Sequence, residues 1–247
     1  MRKTAVATVT SYDLKKPDME VRAELALRTI EDAVHKNCAV VVVDDGSTDS
    51  FIERAKGLSA VVRSQEGRGI SRGQQQAIKL AHSLFNTDNY ILIEPEKAGL
   101  LRDYFEQITA PVRDDVADIV LVGRTEGSMR TMTRIQRLID SKKSEVISRI
   151  LGFNADFVMA PRVWNFNATH YFLDYKPTRN WDLFHGPVID AIKDGKRVIP
   201  VRIPYVYPSE MIAQEEGVES YEAKRVAQLV EVTDFVRSYA QSKTQQV

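Results

Sequence analysis

The chain of 247 residues has a single cysteine, Cys38. That excludes an internal disulfide and a thiolate metal cluster, and it fits a reducing compartment. Cys38 borders the apolar run at 39–43 and reads as a small core residue. No stretch reaches the roughly 18 apolar residues that a membrane helix needs. The basic start Met1-Arg2-Lys3 is not followed by a long apolar segment, so neither a signal peptide nor a transmembrane segment is expected, and the expected location is cytoplasmic. Charge of one sign is missing too: Lys plus Arg and Asp plus Glu both number 34. Such a balance argues against binding nucleic acid through bulk charge. There is no internal repeat and no Pro/Gly-rich linker, and the length suits one large α/β domain, or a domain with an appendage.

What the sequence does have is centred on Val40-Val41-Val42-Val43-Asp44-Asp45-Gly46-Ser47-Thr48-Asp49. The apolar run is short for a helix and suits a strand buried on both faces. Gly46 permits a sharp turn, and Ser47, Thr48 or Asp49 can cap a following helix. Asp44 and Asp45 therefore belong at the carboxyl end of a strand, where ligands bind in open parallel sheets.

Around that stretch, strands and helices alternate. Strands are predicted at Thr4–Thr10, 60–63, 90–93 and 119–122. Between them run an amphipathic helix carrying Ala23, Leu27, Ile30 and Val34, a short one through Phe51 and Ala55, one from Ile70 to Leu84, and one at about 101–109. The pattern means a doubly wound, mostly parallel sheet. Later come a helix at 132–151, strands at 155–160 and 198–201, and a short helix at 188–193. A long C-terminal helix is expected at about 220–242, with disorder only at 243–247. Its apolar residues lie on more than one face, so it docks on its own domain or on a partner, as in a homo-oligomer.

Three strands end in acid: at Asp13, at Asp44-Asp45, and at Glu94 and Glu96. On one sheet edge these carboxylates repel one another unless a cation or a ligand N–H compensates them. Oxygen ligands of this kind suit Mg²⁺ or Mn²⁺ held between protein and substrate phosphates. After the fifth strand come Arg124, Arg130 and Arg134, with Gly127-Ser128. Guanidinium groups on a loop there suit an anionic phosphate or acceptor.

These motifs resemble the family 2 glycosyltransferases of the GT-A fold, especially the dolichyl-phosphate mannosyltransferase-like branch. The likeness rests on the Val-Val-Val-Asp44-Asp45-Gly46-Ser47-Thr48-Asp49 string, on Glu66-Gly67-Arg68-Gly69 with Arg72 and Ala77, and on Glu94-Pro95-Glu96 at the place of an Asp-x-Asp motif. It continues through the strand from Asp118 to Arg124 and the late strand from Lys196 to Val201. The resemblance implies a Rossmann-like catalytic domain over residues 1–210, with 211–247 as a helical extension and tail. It implies transfer of a sugar from a GDP- or UDP-linked donor to an acceptor, soluble or lipid-carried, with inversion. Thr10, Tyr12, Asp44 and Asp45 would line the nucleotide base, since a carboxylate accepts a ring N–H. Gly67, Arg68 and Gly69 would lie beside the nucleotide, and Glu94 and Glu96 would hold the metal.

The chain departs from the family at that metal motif. Glutamate replaces aspartate twice, Pro95 stiffens the turn, and Lys97 puts a positive charge beside the cation. Asn180-Trp181-Asp182-Leu183-Phe184-His185 stands where the family keeps an acidic acceptor-site residue. Asp182 is the expected general base, Trp181 a substrate contact, and His185 a metal ligand or acceptor contact. Two other readings compete. One is a non-catalytic nucleotide-sugar-binding protein, favoured by Glu-Pro-Glu-Lys. The other is a sugar nucleotidyltransferase, disfavoured because Ser11-Tyr12-Asp13-Leu14 lacks that class's glycine-rich loop.

Overall fold

Val40, Val41, Val42 and Val43 are each 2% exposed or less, which four consecutive side chains achieve only in a strand covered on both faces. They lie in β2 (Ala39–Asp44) of a computed structural model that describes residues 3–244. Around β2 the chain runs β1 (Thr4–Thr10), α1 (Pro17–His35), β2, α2 (Asp49–Gly57), β3 (Val61–Ser64), α3 (Ile70–Leu84), β4 (Asn89–Leu92), α4 (Leu100–Arg113) and β5 (Ile119–Arg124). It continues through α5 (Glu126–Met129), α6 (Arg134–Leu151), β6 (Arg162–Asn165), α7 (Thr169–Asp174), α8 (Gly186–Lys193), β7 (Val198–Ile203), α9 (Ser209–Glu215) and α10 (Glu219–Thr244). Of the tail 243–247 expected to be disordered, 243–244 still belong to α10, and 245–247 lie outside the described residues.

The seven strands form one sheet in the order β3-β2-β1-β4-β6-β5-β7. All pairings are parallel except those of β6, which runs antiparallel to both β4 and β5. The expected mostly parallel α/β sheet is therefore present. Strand alternation splits the core in two. Val6, Val40, Val42, Ile91, Val120 and Val122 face α1, α2 and α4. Ala5, Val41, Val43, Leu92, Ile119 and Leu121 face α3, α7, α8 and α10.

The strand expected at 155–160 does not form. Asp156 Oδ1 accepts the backbone N–H groups of Val158 (3.2 Å) and Met159 (3.3 Å), which folds this segment into a turn. Ala155, Phe157 and Met159 are buried nonetheless, so their apolar character marks burial without marking extension. The strand lies further on, at β6. Its Trp164 stacks on Phe172 at 3.8 Å between centroids, and the guanidinium of fully buried Arg162 donates to the carbonyls of Phe184 (3.1 Å) and Phe157 (2.6 Å).

Gly186 opens α8 against the ring of Tyr175, and a Cβ built there overlaps the ring itself. Gly186→Ala is therefore expected to destabilise the protein by about 1–3 kcal/mol through overpacking, read as a lower urea midpoint with an unchanged slope. An unaltered midpoint would show that Tyr175 moves freely. Cys38 is buried as expected, and burial pushes its thiol up to about 12, so it is not a reactive thiol at neutral pH.

The C-terminal helix is no loose appendage. Val232, Phe235 and Val236 of α10 enter the core layer over α3 and α8, and Tyr239 donates to Asp190 at 2.7 Å. Its other faces carry Val226 and Val230, both exposed.

Candidate active site

Chain order reverses between β1 and β4: β2 and β3 lie to one side, β4 and its followers to the other. Helices follow on opposite faces at such a point and leave a crevice beyond the strand ends. Here the crevice is a cleft of about 1780 Å³, counting the part open to solvent. Thr10, Ser11, Tyr12 and Asp45 line it from the β1–β2 side, the run from Ile93 to Lys97 from β4, and Ser220, Tyr221, Lys224 and Arg225 from α10. A narrower recess opens off it toward α6, lined among others by Asp140, Lys143, Phe184 and His185. Glu94, Lys97, Trp181, Arg225 and Gln228 line both and so mark their junction.

Of the residues expected at the base, Thr10, Tyr12 and Asp45 line the cleft. Asp44 takes another place. It is 5% exposed, and its carboxylate accepts from Thr10 Oγ1 (2.7 Å), from the Ser47 amide (2.8 Å) and from the Ser47 hydroxyl. It braces the turn that presents Asp45. Tyr12 is buried edge-on against Phe51, and its hydroxyl donates to Glu96 at 2.9 Å. Burial and the Glu96 charge push that phenol well up, so it remains a donor. Gly67 has φ +81°, which favours glycine. It does not line the cleft; Arg68 and Gly69 line a separate shallow pocket with Arg72, Arg179 and Asn180. Gln65, Ile70 and Gln74 are what this region contributes to the cleft.

The two glutamates of the Glu-Pro-Glu turn part company. Glu96 meets Tyr12 and, at 3.9 Å, Arg22. Burial raises its carboxyl above the usual range, with Arg22 only partly offsetting this. Glu94 faces the junction and pairs with Lys97 Nζ at 2.8 Å. Burial would raise its carboxyl, but the Lys97 ammonium wins and holds it below the usual range. Lys97 also sits over the Tyr207 ring, 5.8 Å from its centroid.

Arg124 and Arg130 are not anion-binding arms of a loop. Arg124 is 8% exposed at the end of β5. Its Nε and Nη2 reach Asp156 at 2.7 and 3.0 Å, and Nη1 reaches Asp140 at 2.9 Å. The guanidinium is fully engaged by two carboxylates. Arg130 is exposed, pairs with Glu126, and lines no part of the cleft or recess.

Asp182 also lies off the cleft. At 1% exposure, its Oδ2 accepts the amides of Thr178 (2.7 Å) and Arg179 (2.9 Å). It closes the loop that carries Trp181. A carboxylate so placed orders backbone and lines neither the cleft nor the recess. Trp181, in contrast, does reach the junction. Its φ of +67° is unfavourable for a bulky side chain, costing about 1–3 kcal/mol, and the neighbouring bonds to Asp182 hold it there.

His185 lies in the recess with Nδ1 buried and unpartnered. Burial, helped by the charges of Arg162 and Lys143, pushes the imidazole well below its ordinary range, so the ring is neutral. Glu94 and His185 thus offer one carboxylate and one nitrogen around the same recess. Among the described residues no group of three acidic, histidine or cysteine side chains converges as a metal site. One carboxylate completed by phosphate oxygens and water is still an ordinary Mg²⁺ arrangement. A divalent cation therefore fits here as a companion of a bound diphosphate.

Several wall residues escaped the sequence reading: Arg22 on α1, Asp140 and Lys143 on α6, Glu215 on α9, and Lys224, Arg225 and Gln228 on α10. Glu215, 1% exposed, accepts from Arg22 (2.7 Å) and from Tyr207 (2.9 Å), which ties α9 over the cleft. The only available signal was charge inside otherwise amphipathic helices, which ordinarily marks a solvated face.

With this geometry in place, the comparisons with known proteins agree on the class. The model of the glycosyl transferase family 2 matches residues 20–173, more than half of the chain, and the chain belongs to that family. No curated protein is similar enough to count as a match. Among solved structures, glucosyl-3-phosphoglycerate synthase from Mycobacterium tuberculosis in complex with uridine diphosphate is 12% identical, with a TM-score of 0.60 over 94% of this chain and 80% of that one. The same enzyme with Mn²⁺, UDP-glucose and phosphoglyceric acid gives 12% and 0.56 over the same shares. Its complex with Mg²⁺ and uridine diphosphate gives 12% and 0.57. At such identity the likeness is one of fold, and it does not single out the mannosyltransferase-like branch.

Proposed function

We propose that the protein transfers a sugar from a UDP-linked donor to a small acceptor, with inversion. The observation that carries this reading is one continuous cleft with two chemically different parts. Ser11 and Asp45 form a polar edge away from the recess, and Lys97 and Arg225 stand at the junction with it. A nucleoside diphosphate has the same polarity, with hydrogen-bonding base at one end and negative charge at the other. Uracil as the base is supported by the similarly folded synthase, which binds uridine diphosphate. The narrow, polar recess supports a soluble acceptor over a lipid-carried one. No helix among the described residues is long and apolar enough to cross a membrane.

In this reading Asp45 and the Ser11 hydroxyl orient the base, and Asp44, bonded to Thr10 and Ser47, holds their turn rigid. Trp181 presents its ring at the junction, where the sugar lies, and shields it from water. Glu94 and His185 would hold Mg²⁺ or Mn²⁺, which would supply Lewis-acid neutralisation of the leaving group. The similarly folded synthase has been seen with either ion. Lys97, already at Glu94, adds a fixed positive charge to the same place.

The test is calorimetric titration with UDP, GDP and UDP-glucose, with and without Mn²⁺. UDP is expected to bind at least tenfold more tightly than GDP. Equal or tighter binding of GDP would overturn the choice of base, and absence of heat with every nucleotide would overturn the whole reading. The Glu94–Lys97 pair favours one second reading, a nucleotide-sugar-binding protein without turnover. Consumption of bound donor, followed by UDP release, separates the two.

A further inference from the structure

The cations around the junction differ in what neutralises them. Lys97 pairs with Glu94 at 2.8 Å, Arg22 with Glu215 at 2.7 Å, Lys143 with Asp140 at 3.2 Å, and Arg124 with both Asp140 and Asp156. Arg225 differs. Its Nε meets the Tyr221 hydroxyl at 2.7 Å and its Nη1 meets Gln228 Oε1 at 3.3 Å, both neutral groups one helical turn away on α10. Among the described residues no carboxylate lies within ion-pair distance of it. A guanidinium half-buried at the meeting point of two cavities, aimed by neutral acceptors and in contact with no carboxylate, is a site prepared for an anion. Lys224, the preceding residue, lines the same cleft and likewise forms no ion pair among the described residues.

We propose that Arg225 binds the diphosphate of the donor, so that the C-terminal helix completes the active site. This rests on the nucleotide-sugar reading and adds to it a residue beyond positions 20–173, the part matched by the family model. In the transfer, the bond between the anomeric carbon and the β-phosphate oxygen breaks and its electron pair stays on that oxygen. The acceptor oxygen forms the new bond to carbon and releases its proton to the medium. Negative charge therefore grows on the β-phosphate, and Arg225 at the junction meets it there with donors in a fixed fork. Gln136, whose Oε1 is buried and unpartnered in the recess, is left to the acceptor side.

The experiment compares UDP with uridine as calorimetric ligands for the full chain, its Arg225→Gln variant and its Arg225→Lys variant. Arg225→Gln is expected to weaken UDP by roughly ten- to a hundredfold, the worth of a charged hydrogen bond, and to leave uridine within twofold. Arg225→Lys keeps the charge and is expected to recover part of the UDP affinity, and it serves as the test if the glutamine variant does not fold. UDP affinity unchanged in both variants overturns the proposal. So does an equal loss for uridine and UDP, which would mark a structural role. If the unaltered protein binds neither ligand, the nucleotide reading fails and takes this proposal with it. Binding of UDP by the unaltered protein and by Arg225→Gln alike sinks the proposal alone.

Discussion

Asp156→Ala is expected to lower the unfolding free energy by about 3–5 kcal/mol, the cost of leaving a buried charge without its partner. The stranded group is Arg124, whose Nε and Nη2 both rest on that carboxylate and whose surroundings exclude water. Asp140 remains, but it already serves Lys143. Urea titration measures the loss, and a change under 1 kcal/mol would show that Asp140 alone suffices. The same pair fixes an acid dependence. Burial pushes the Asp156 carboxyl up, but the charge and hydrogen bonds of Arg124 overrule it and leave the group far below the ordinary aspartate range. In the unfolded chain it titrates near 3.9. The unfolded state therefore binds more protons at and below that pH, so the stabilisation is complete above about pH 5 and fades as pH falls further. The stability gap between the protein and Asp156→Asn should accordingly shrink between pH 5 and pH 3. A gap that stays constant over that range would refute the ionic account.

Glu94→Gln carries the largest expected effect on function. Loss of the one carboxylate shared by cleft and recess is expected to slow donor turnover by roughly 100- to 1000-fold, the usual consequence of deleting a group that stabilises the transition state. The substitution conserves size and leaves Lys97 without its partner. Binding gives a second readout. The unaltered protein is expected to take up Mn²⁺ only when UDP is present, because two protein ligands are too few to hold the ion alone. Glu94→Gln is expected to lose that uptake while keeping its affinity for uridine. Tight Mn²⁺ binding without nucleotide, or full turnover by the variant, would remove Glu94 from this role.

Much of this architecture could be read before any coordinates. The valine run into Asp44-Asp45-Gly46 defined a buried strand and its turn because a period of two and a short apolar run leave little alternative. The alternation of strand and amphipathic helix defined the sheet class for the same reason. Glu94 and Trp181 stood out from their position after a strand and within an aromatic-acidic loop, and both line the cleft and its recess. Asp44, Asp182 and Arg124 were legible only as chemistry-bearing types. Whether a carboxylate faces a ligand or an amide is decided by its neighbours. Thr10 and Ser47 claim Asp44, the 178–179 amides claim Asp182, and Asp156 claims Arg124.

The strand misplaced at 155–160 shows the same limit on a smaller scale. Its apolar side chains are buried as their hydrophobicity requires, yet the hydrogen bonds to Asp156 turn the backbone there. Burial follows from composition, whereas backbone direction depended on a side-chain partner.

The sequence by itself determined a mostly parallel α/β sheet with apolar faces and acidic strand ends, because periodicity and turn chemistry are local properties of the chain, and its motifs carried the family resemblance. Tertiary structure decided which charges remain available in the cleft. Ion pairing joins residues far apart in sequence, such as Arg22 with Glu215 and Arg124 with Asp156. Such pairs hold Arg22 and Arg124, local ones hold Lys97 and Lys143, and Lys224 and Arg225 on the last helix are left facing the cleft without an ion pair among the described residues.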